Sequence, residues 1–156
     1  MISSLVVATD GSASGERAVV VALDLARRFD ATVHALSVVD TIDDGEGAGG
    51  DDATENGKGS DDENDDGSAD ARRQRAERAV AAVAERADRG VHTAVEAGDP
   101  AAVIRMYAAE TATDLIATGT RGRDGAHRFL LGSVAEEVVR TSPVPVLTVR
   151  QLETDD

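Results

Sequence analysis

The segment from Gly119 to Val134, which reads GTRGRDGAHRFLLGSV, combines glycine and arginine in a pattern that suits an anion. Glycine adopts positive φ angles and lets the backbone approach a ligand closely, so successive N–H groups can turn toward a phosphate. The glycines of this segment are Gly119, Gly122, Gly125 and Gly132. Gly132 and Ser133 begin a predicted helix, whose first N–H groups lack intrahelical partners. The segment therefore predicts a phosphate-binding loop.

The charge of this segment opposes the charge of the chain. Three arginines and one aspartate give it a formal charge of +2, whereas the whole chain carries −14. Because the acidic remainder repels phosphate, this local reversal of sign favours an anion here. His127 adds a ring nitrogen, although a loop histidine is most often simply solvated. The charged residues concerned are Arg121, Arg123, Asp124 and Arg128.

Most of the negative charge lies in one stretch. Residues 40–70 hold 13 acidic residues and one base, Lys58, whereas the rest of the chain holds 17 acidic and 15 basic residues. We interpret residues 40–68 as an acidic low-complexity loop, because the stretch has too few apolar residues to order itself. A second acidic stretch, at 151–156, is interpreted as a tail. The acidic, lysine-poor composition is typical of proteins from salt-loving organisms, with an acidic mesophilic protein as the alternative.

The composition also excludes several classes of protein. Without cysteine the chain has no disulfides, thiolate metal sites or thiol nucleophiles, and its three histidines are too scattered for a metal site. It shows no run of about 18 apolar residues and no basic signal-peptide region, so we expect a cytoplasmic protein with no membrane partner. The lack of a basic face argues against a nucleic-acid partner.

Strand and helix patterns alternate along the chain, whose 156 residues suit a single domain. Apolar runs predict strands at Leu5–Thr9, Ala31–Val39, from Val91, at Leu115–Thr118 and at Val144–Val149. Helical spacing predicts helices from Ser12 to Phe29, from Ala76 to an end at Gly90, after Asp99 and Pro100, and from Ser133 to Arg140. This alternation predicts an open parallel sheet with helices on both faces. The third strand alternates in polarity, which predicts that it is less buried than the first and lies at an edge of the sheet.

In such a sheet, ligands bind beyond the carboxyl ends of the strands, where the strand order reverses. The segments that follow the predicted strands there are Asp10–Ser12, Val39–Asp40 and Gly119–Ser133. The predicted phosphate loop therefore lies at the carboxyl edge of the sheet, where ligands bind. Two residues also have simpler interpretations, since Asp10 can cap the turn after the first strand and Ser133 can serve as a helix-start residue.

The spacing Gly119-x2-Gly122-x9-Gly132-Ser133 matches the nucleotide-binding signature G-x2-G-x9-G-S/T of the universal stress protein family. The resemblance extends to VVATDGS after the first strand, to GDPAAVI, to DLIATGTRG and to LLGSVAEEVVRTSPVPVLTV. It therefore covers nearly all of residues 1–150 apart from the acidic stretch. It implies a Rossmann-like sheet of five parallel strands in the order 3-2-1-4-5, with helices on both faces.

The resemblance also implies a ligand, ATP, with Mg²⁺ held through its phosphates. Asp10 then contacts the nucleoside, and the backbone around Val39 contacts the adenine. Ribose and phosphates are surrounded by N–H groups and one hydroxyl from Gly119, Gly122, Gly132, Ser133 and Val134. The role of Arg121 is inferred from its charge alone. The acidic stretch leaves the sheet beside the adenine, so a further hypothesis is that it screens the nucleotide at low salt.

Three functions compete at this point. The first is an ATP-binding regulatory protein of the stress response, with at most slow hydrolysis or autophosphorylation, because no water-activating base stands near the loop. The second is an interaction scaffold with a vestigial nucleotide site, and for both the resemblance implies a homodimer through the terminal strand, Val146–Arg150. The third is an enzyme of the adenine-nucleotide α-hydrolase-like group, which is disfavoured because TDGSAS replaces the SGGxDS-type loop.

Overall fold

The computed structural model describes residues 1–41, 68–120 and 131–150. Most of the predicted acidic loop, the tail at 151–156 and the middle of the predicted phosphate loop, with Arg121 and Gly122, lie outside the described residues. The elements are β1 (Ser4–Ala8), α1 (Ala13–Phe29), β2 (Thr32–Asp40), α2 (Ala69–Arg86), β3 (Val91–Gly98), α3 (Pro100–Glu110), β4 (Leu115–Gly119), α4 (Ser133–Thr141) and β5 (Val146–Val149).

All five strands form one parallel sheet in the order β3-β2-β1-β4-β5. The predicted strand order and the edge position of β3 are confirmed. Central β1 is buried on both faces, which explains its uninterrupted apolar run: Leu5, Val6 and Val7 have no exposed surface. A sheet with an apolar residue at every position of its central strand must be covered on both sides.

Helices cover both faces of the sheet, as predicted. On one face, α1 and α2 pack on the sheet through small side chains, among them Ala18, Val19, Ala22, Ala26, Val80 and Val83. On the other face, α3 and α4 contribute Ala101, Ile104, Ala108 and Val138. Because alanine and valine dominate these contacts, the helices lie close to the sheet, and glycine is required where backbones meet.

The starts of α1 and α3 follow the sequence closely, whereas the predicted start of the second helix at Ala76 is wrong, since α2 begins at Ala69 with Ser68 as its cap. Ser12 caps α1, its Oγ accepting a hydrogen bond from the Gly15 N–H at 3.2 Å. Asp99 caps α3 in the same way, with Pro100 as the first helical residue. Each cap satisfies a backbone donor that the first helical turn leaves without a partner.

The predicted end of α2 at Gly90 is wrong. The helix ends at Arg86, because Ala87 turns to an extended conformation, φ −80° and ψ 141°, while its N–H still donates to the Val83 carbonyl at 3.2 Å. Gly90 is not in the left-handed region; among the glycines that the structure describes, Gly11 and Gly98 have positive φ. The last strand also begins later than predicted, at Val146, because Ser142 and Val144 form a hydrogen-bonded turn before it.

Two histidines that are far apart in sequence meet across β2 and β3. The parallel register pairs His34 with His92, and their rings stack with centroids 4.9 Å apart. The His34 Nδ1 also lies 3.2 Å from the Tyr107 hydroxyl on α3. Burial lowers the pKa of His34, and the neighbouring His92 imidazole lowers it further. Burial also raises the pKa of Tyr107, with a smaller contribution from the Glu96 carboxylate.

A histidine with a lowered pKa makes the fold sensitive to acid. The folded protein binds a proton at His34 less readily than the unfolded chain, so the free energy of unfolding falls as pH is lowered through about 6.5. We expect this fall to be smaller in His34→Gln. Urea unfolding of both proteins at several pH values between neutral and mildly acidic measures it, and equal falls in both proteins would contradict the assignment.

Gly119, at the end of β4, lies directly against Ser14 in the first turn of α1. A Cβ at this position would lie 2.5 Å from the Ser14 Oγ and 2.8 Å from the Ser14 carbonyl carbon and oxygen. The first turn of α1 thus rests directly on the end of β4. Since backbone atoms are among those contacted, rotation of a side chain does not relieve the overlap.

Gly119→Ala should therefore destabilise the fold, by about 1–3 kcal/mol, through overpacking. Gly90→Ala is the matched control, because a Cβ at Gly90 meets no atom within 4 Å. We expect the control to be neutral or to stabilise the fold by up to about 1 kcal/mol. Urea titrations give both free energies of unfolding, and an equal effect of the two substitutions would rule out the close contact.

Candidate functional site

The strand order reverses at β1, and in an open parallel sheet such a reversal forms a crevice at the carboxyl edge. β2 and β4 flank β1, but the chain connects β1 to β2 through α1 and reaches β4 only after β3 and α3. The crevice lies over the end of β1, where the chain turns away into α1. Asp10, Val39, Gly119, Gly132, Ser133 and Val134 all lie at this edge, so the structure brings the described members of the predicted site to one end of the sheet.

The turn after β1 is held by its own side chains. The Thr9 Oγ1 accepts a hydrogen bond from the Gly11 N–H at 3.2 Å, and the Asp10 Oδ1 accepts one from the Ser12 N–H at 2.9 Å. Gly11 has a φ of 79°, which favours glycine. Asp10 therefore caps the turn, as its simpler interpretation predicts, with one carboxylate oxygen. Its Oδ2 accepts no hydrogen bond from the described residues.

β2 extends beyond β1 and offers a free backbone edge to the crevice. The last hydrogen bond between the two strands runs from the Thr9 N–H to the Leu36 carbonyl at 2.9 Å, whereas β2 continues to Asp40 alongside β3. Successive residues of a strand point their N–H and C=O groups to opposite edges. Because the Leu36 carbonyl faces β1, the N–H and C=O of Val38 face the crevice.

The same register gives the orientation of the backbone at Val39, the predicted adenine contact. Val39 follows Val38, so its own N–H and C=O point toward β3. The backbone around Val39 thus reaches the crevice through the adjacent residue. Val38 presents one donor and one acceptor side by side, which is the pattern that a planar amide-like ligand edge requires.

On the other side of the crevice, α4 presents its N-terminus. The Gly132 N–H donates to the Thr120 carbonyl at 2.6 Å, and the Gly132 carbonyl accepts from the Glu136 N–H at 2.9 Å. No side chain caps this helix. Within the described part of the chain, the N–H groups of Ser133, Val134 and Ala135 consequently have no hydrogen-bond partner, and they carry the positive end of the helix dipole.

Two contributors to this edge were not predicted from the sequence. The N–H of Gly132 is occupied by Thr120, so the third free donor of α4 belongs to Ala135. The rule that the first turn of a helix leaves its N–H groups without partners was sufficient to find Ala135. Val38 required the register between β1 and β2, which the sequence does not show.

Two negative findings apply to the residues at 1–41, 68–120 and 131–150. No three His, Asp or Glu side chains among them are grouped as a metal ion requires. None of the helices there has the length and apolar character needed to cross a membrane.

Comparison with known sequences identifies the family. A model of the Universal stress protein family matches residues 1–150. Universal stress protein MJ0531 of Methanocaldococcus jannaschii is 34% identical over 151 residues, which cover 97% of this chain and 84% of that protein. Putative universal stress protein SSP1056 of Staphylococcus saprophyticus is 35% identical over 159 residues, which cover 96% of this chain and 84% of that protein.

Solved structures share the fold. Universal stress protein UspA from Lactobacillus plantarum aligns with a TM-score of 0.69 and 24% identity over 96% of this chain and 98% of its own. A universal stress protein in complex with cAMP aligns with a TM-score of 0.63 and 22% identity, over 97% and 99% of the two chains. One from Archaeoglobus fulgidus in complex with dAMP gives 0.57 and 19%, over 96% and 98%. The family match over residues 1–150 and the two relatives at 34% and 35% identity show that the chain belongs to the universal stress protein family, whose fold these structures share.

Proposed function

We propose that this chain binds ATP in the crevice over β1 and acts as a dimeric regulatory protein of the stress response. One observation carries the proposal: the free N–H groups of Ser133, Val134 and Ala135 and the free N–H and C=O of Val38 stand on opposite sides of the same crevice. The first set suits phosphate and the second suits a base, so the crevice has the two ends that a nucleotide needs.

At the base end, the Val38 carbonyl accepts a hydrogen bond from the N6 amino group of adenine. The Val38 N–H donates a hydrogen bond to the adjacent ring nitrogen. Guanine carries an acceptor where adenine carries the N6 donor, so this pair discriminates against guanine. The Oδ2 of Asp10 accepts from the ribose hydroxyls between the two ends. Val39 contributes indirectly, because its pairing with β3 fixes the position of the neighbouring Val38.

At the phosphate end, the donors are main-chain N–H groups and the Ser133 hydroxyl. Ser133 and Val134 are in the first turn of α4, where the helix dipole adds to the attraction for phosphate. We retain Gly119, Gly122 and Gly132 as the glycines that let the backbone come close, and Arg121 as a charge partner. Mg²⁺ is carried on the phosphates and needs no protein ligand.

The choice of an adenine nucleotide is supported by two structures of similar fold, one in complex with cAMP and the other with dAMP. Both ligands contain adenine, which the N–H and C=O of Val38 suit. The spacing Gly119-x2-Gly122-x9-Gly132-Ser133 is the feature that favours a triphosphate. The regulatory role is proposed from the family match over residues 1–150, and we expect any hydrolysis to be slow.

The dimer is proposed on the free edge of β5. The Pro145 carbonyl accepts a hydrogen bond from Ile116 in β4, and the Val149 carbonyl accepts one from Thr120 just after β4. The backbone groups of the alternate residues, Val146 and Thr148, therefore face away from the sheet. A free apolar edge of this kind pairs readily with a second copy. The cytoplasmic location and the salt-loving origin stay predictions from composition.

The nucleotide proposal predicts that freshly purified protein retains an adenine nucleotide, which mass spectrometry identifies after denaturation. Gly132→Val should reduce retention at least about tenfold, since a side chain would intrude where main-chain N–H groups touch phosphate. Gly132 has φ −62° and ψ 159°, which any residue adopts, so the fold itself should be unaffected.

Gly90→Val is the matched control, because its side chain would extend into open space at the other end of the sheet. It should retain nucleotide as the unmodified protein does. Protein that releases no nucleotide and also gives no ATP binding in a titration would refute the proposal and leave the interaction scaffold as the function.

The dimer proposal predicts twice the chain mass by light scattering at micromolar concentration in high salt. Thr148→Pro should give a monomer, because it removes an N–H that faces the free edge while the hydrogen bonds to the Pro145 and Val149 carbonyls remain. Thr148→Val keeps that N–H and should stay dimeric. A monomer in the unmodified protein would contradict the dimer directly.

A further inference from the structure

The free edge of β2 is bounded at both ends, and Arg72 forms the outer boundary. At the inner end, the Leu36 carbonyl accepts the Thr9 N–H at 2.9 Å. At the outer end, the Asp40 carbonyl accepts a hydrogen bond from the Arg72 Nη1 at 3.2 Å. Leu36, Val38 and Asp40 share one direction along the strand, so Val38 is the residue left between two occupied carbonyls.

Arg72 reaches this position because of where α2 lies. Ala79 is buried, and its Cβ lies 3.6 Å from the position that a Cβ on Gly11 would take, so this face of α2 crosses the turn after β1. Arg72 precedes Ala79 by seven residues, which is about two helical turns and the same helix face. Its side chain therefore extends past that turn to the end of β2.

The contact is not favoured by the helix itself. Arg72 is the fourth residue of α2, near the positive end of the helix dipole, where a cation is unfavourable. Its side chain is half-buried, and its Nε is shielded from solvent. The carbonyl of Asp40 presents its negative dipole to this cation, and this hydrogen bond links the start of α2 to the end of β2.

The end of β2 has a strand neighbour on one side only. Ser37 to Asp40 pair with β3 alone, which is the edge strand of the sheet, because β1 has already turned away. A strand end held by one edge neighbour frays readily. Arg72 supplies the contact on the other side.

We propose that Arg72 is a positioning residue for the base subsite: it holds the Asp40 carbonyl and thereby keeps the N–H and C=O of Val38 aligned over the crevice. This inference rests on the proposed nucleotide binding and deepens it. The phosphate donors are on α4, on the far side of β1, so the effect of Arg72 is confined to the base. Arg72 thus sets the selectivity for the base without contacting phosphate.

The test compares two ligands, ATP and inorganic tripolyphosphate, which lacks a base. Affinities come from competition against a fluorescent adenine nucleotide, with competitor up to millimolar concentration. Arg72→Met keeps the apolar stem and removes the donors. It should weaken ATP binding about tenfold and leave tripolyphosphate binding within about twofold. Arg72→Lys retains a donor and should restore most of the ATP affinity.

Arg73→Met is the matched control for charge. Arg73 is exposed, its Nε pairs with Glu77 at 3.4 Å, and its loss changes the net charge by the same amount. Both ligands should bind this variant as they bind the unmodified protein. Thermal unfolding of every variant shows whether the fold is intact.

The outcomes separate the two proposals. If the unmodified protein binds neither ATP nor the fluorescent nucleotide, the nucleotide-binding function itself fails. If the unmodified protein binds ATP and Arg72→Met binds it equally well, only the positioning role fails. A parallel loss of ATP and tripolyphosphate in Arg72→Met, or no rescue by Arg72→Lys, would also overturn the positioning role, because it would indicate general damage.

Discussion

The early departure of β1 from the sheet is the constraint on which the candidate site depends. β1 pairs with β2 only as far as Leu36, and Gly11 and Ser12 then lead the chain into α1. A longer β1 would occupy the crevice and consume the backbone groups of Val38. Gly119 is the counterpart on the other side, since its missing side chain lets α1 begin directly against β4.

The described donors of the proposed phosphate end belong to the main chain. The N–H groups of Ser133, Val134 and Ala135 do not titrate, and a helix dipole acts mainly within one turn. Screening by salt, which shortens the reach of the chain's net charge of −14, leaves hydrogen bonds at contact distance largely intact. An acidic protein can therefore combine a repulsive surface with a local anion site, and high salt reduces the conflict between them.

The parts of the fold that the sequence predicts are those determined by local patterns. The apolar run of β1, the Ser12 and Asp99 caps and the alternation of strands and helices need only neighbouring residues. The same local reasoning failed at Gly90, because the conformation that ends α2 occurs earlier, at Ala87. A glycine past a helix shows where the left-handed conformation is allowed, and does not show that it is used.

The remaining features depend on register, which links residues distant in sequence. The pairing of His34 with His92 follows from the alignment of β2 with β3. The local sequence around each histidine does not show that the two rings meet. The availability of Val38 rather than Val39 depends on which residue of β2 faces the last bond from Thr9. The contact between Arg72 and Asp40 could not be predicted from the sequence for the same reason. Only the placement of α2 over Gly11 directs the Arg72 side chain to Asp40.

The hydrogen bond from the Gly132 N–H to the Thr120 carbonyl holds the start of α4 next to the end of β4. The position of the free N–H groups of α4 therefore depends little on the sequence between these two residues. Thr120 is tied to β5 through Val149, and Gly132 is tied to Thr120, so the start of α4 is anchored to the sheet through its own backbone. Thr120 and Gly132 are therefore held together by one backbone hydrogen bond. Loops tolerate changes in length and composition better than the elements they connect. A change in the length or composition of the connection between Thr120 and Gly132 should consequently leave the start of α4, and the anion site proposed there, in place.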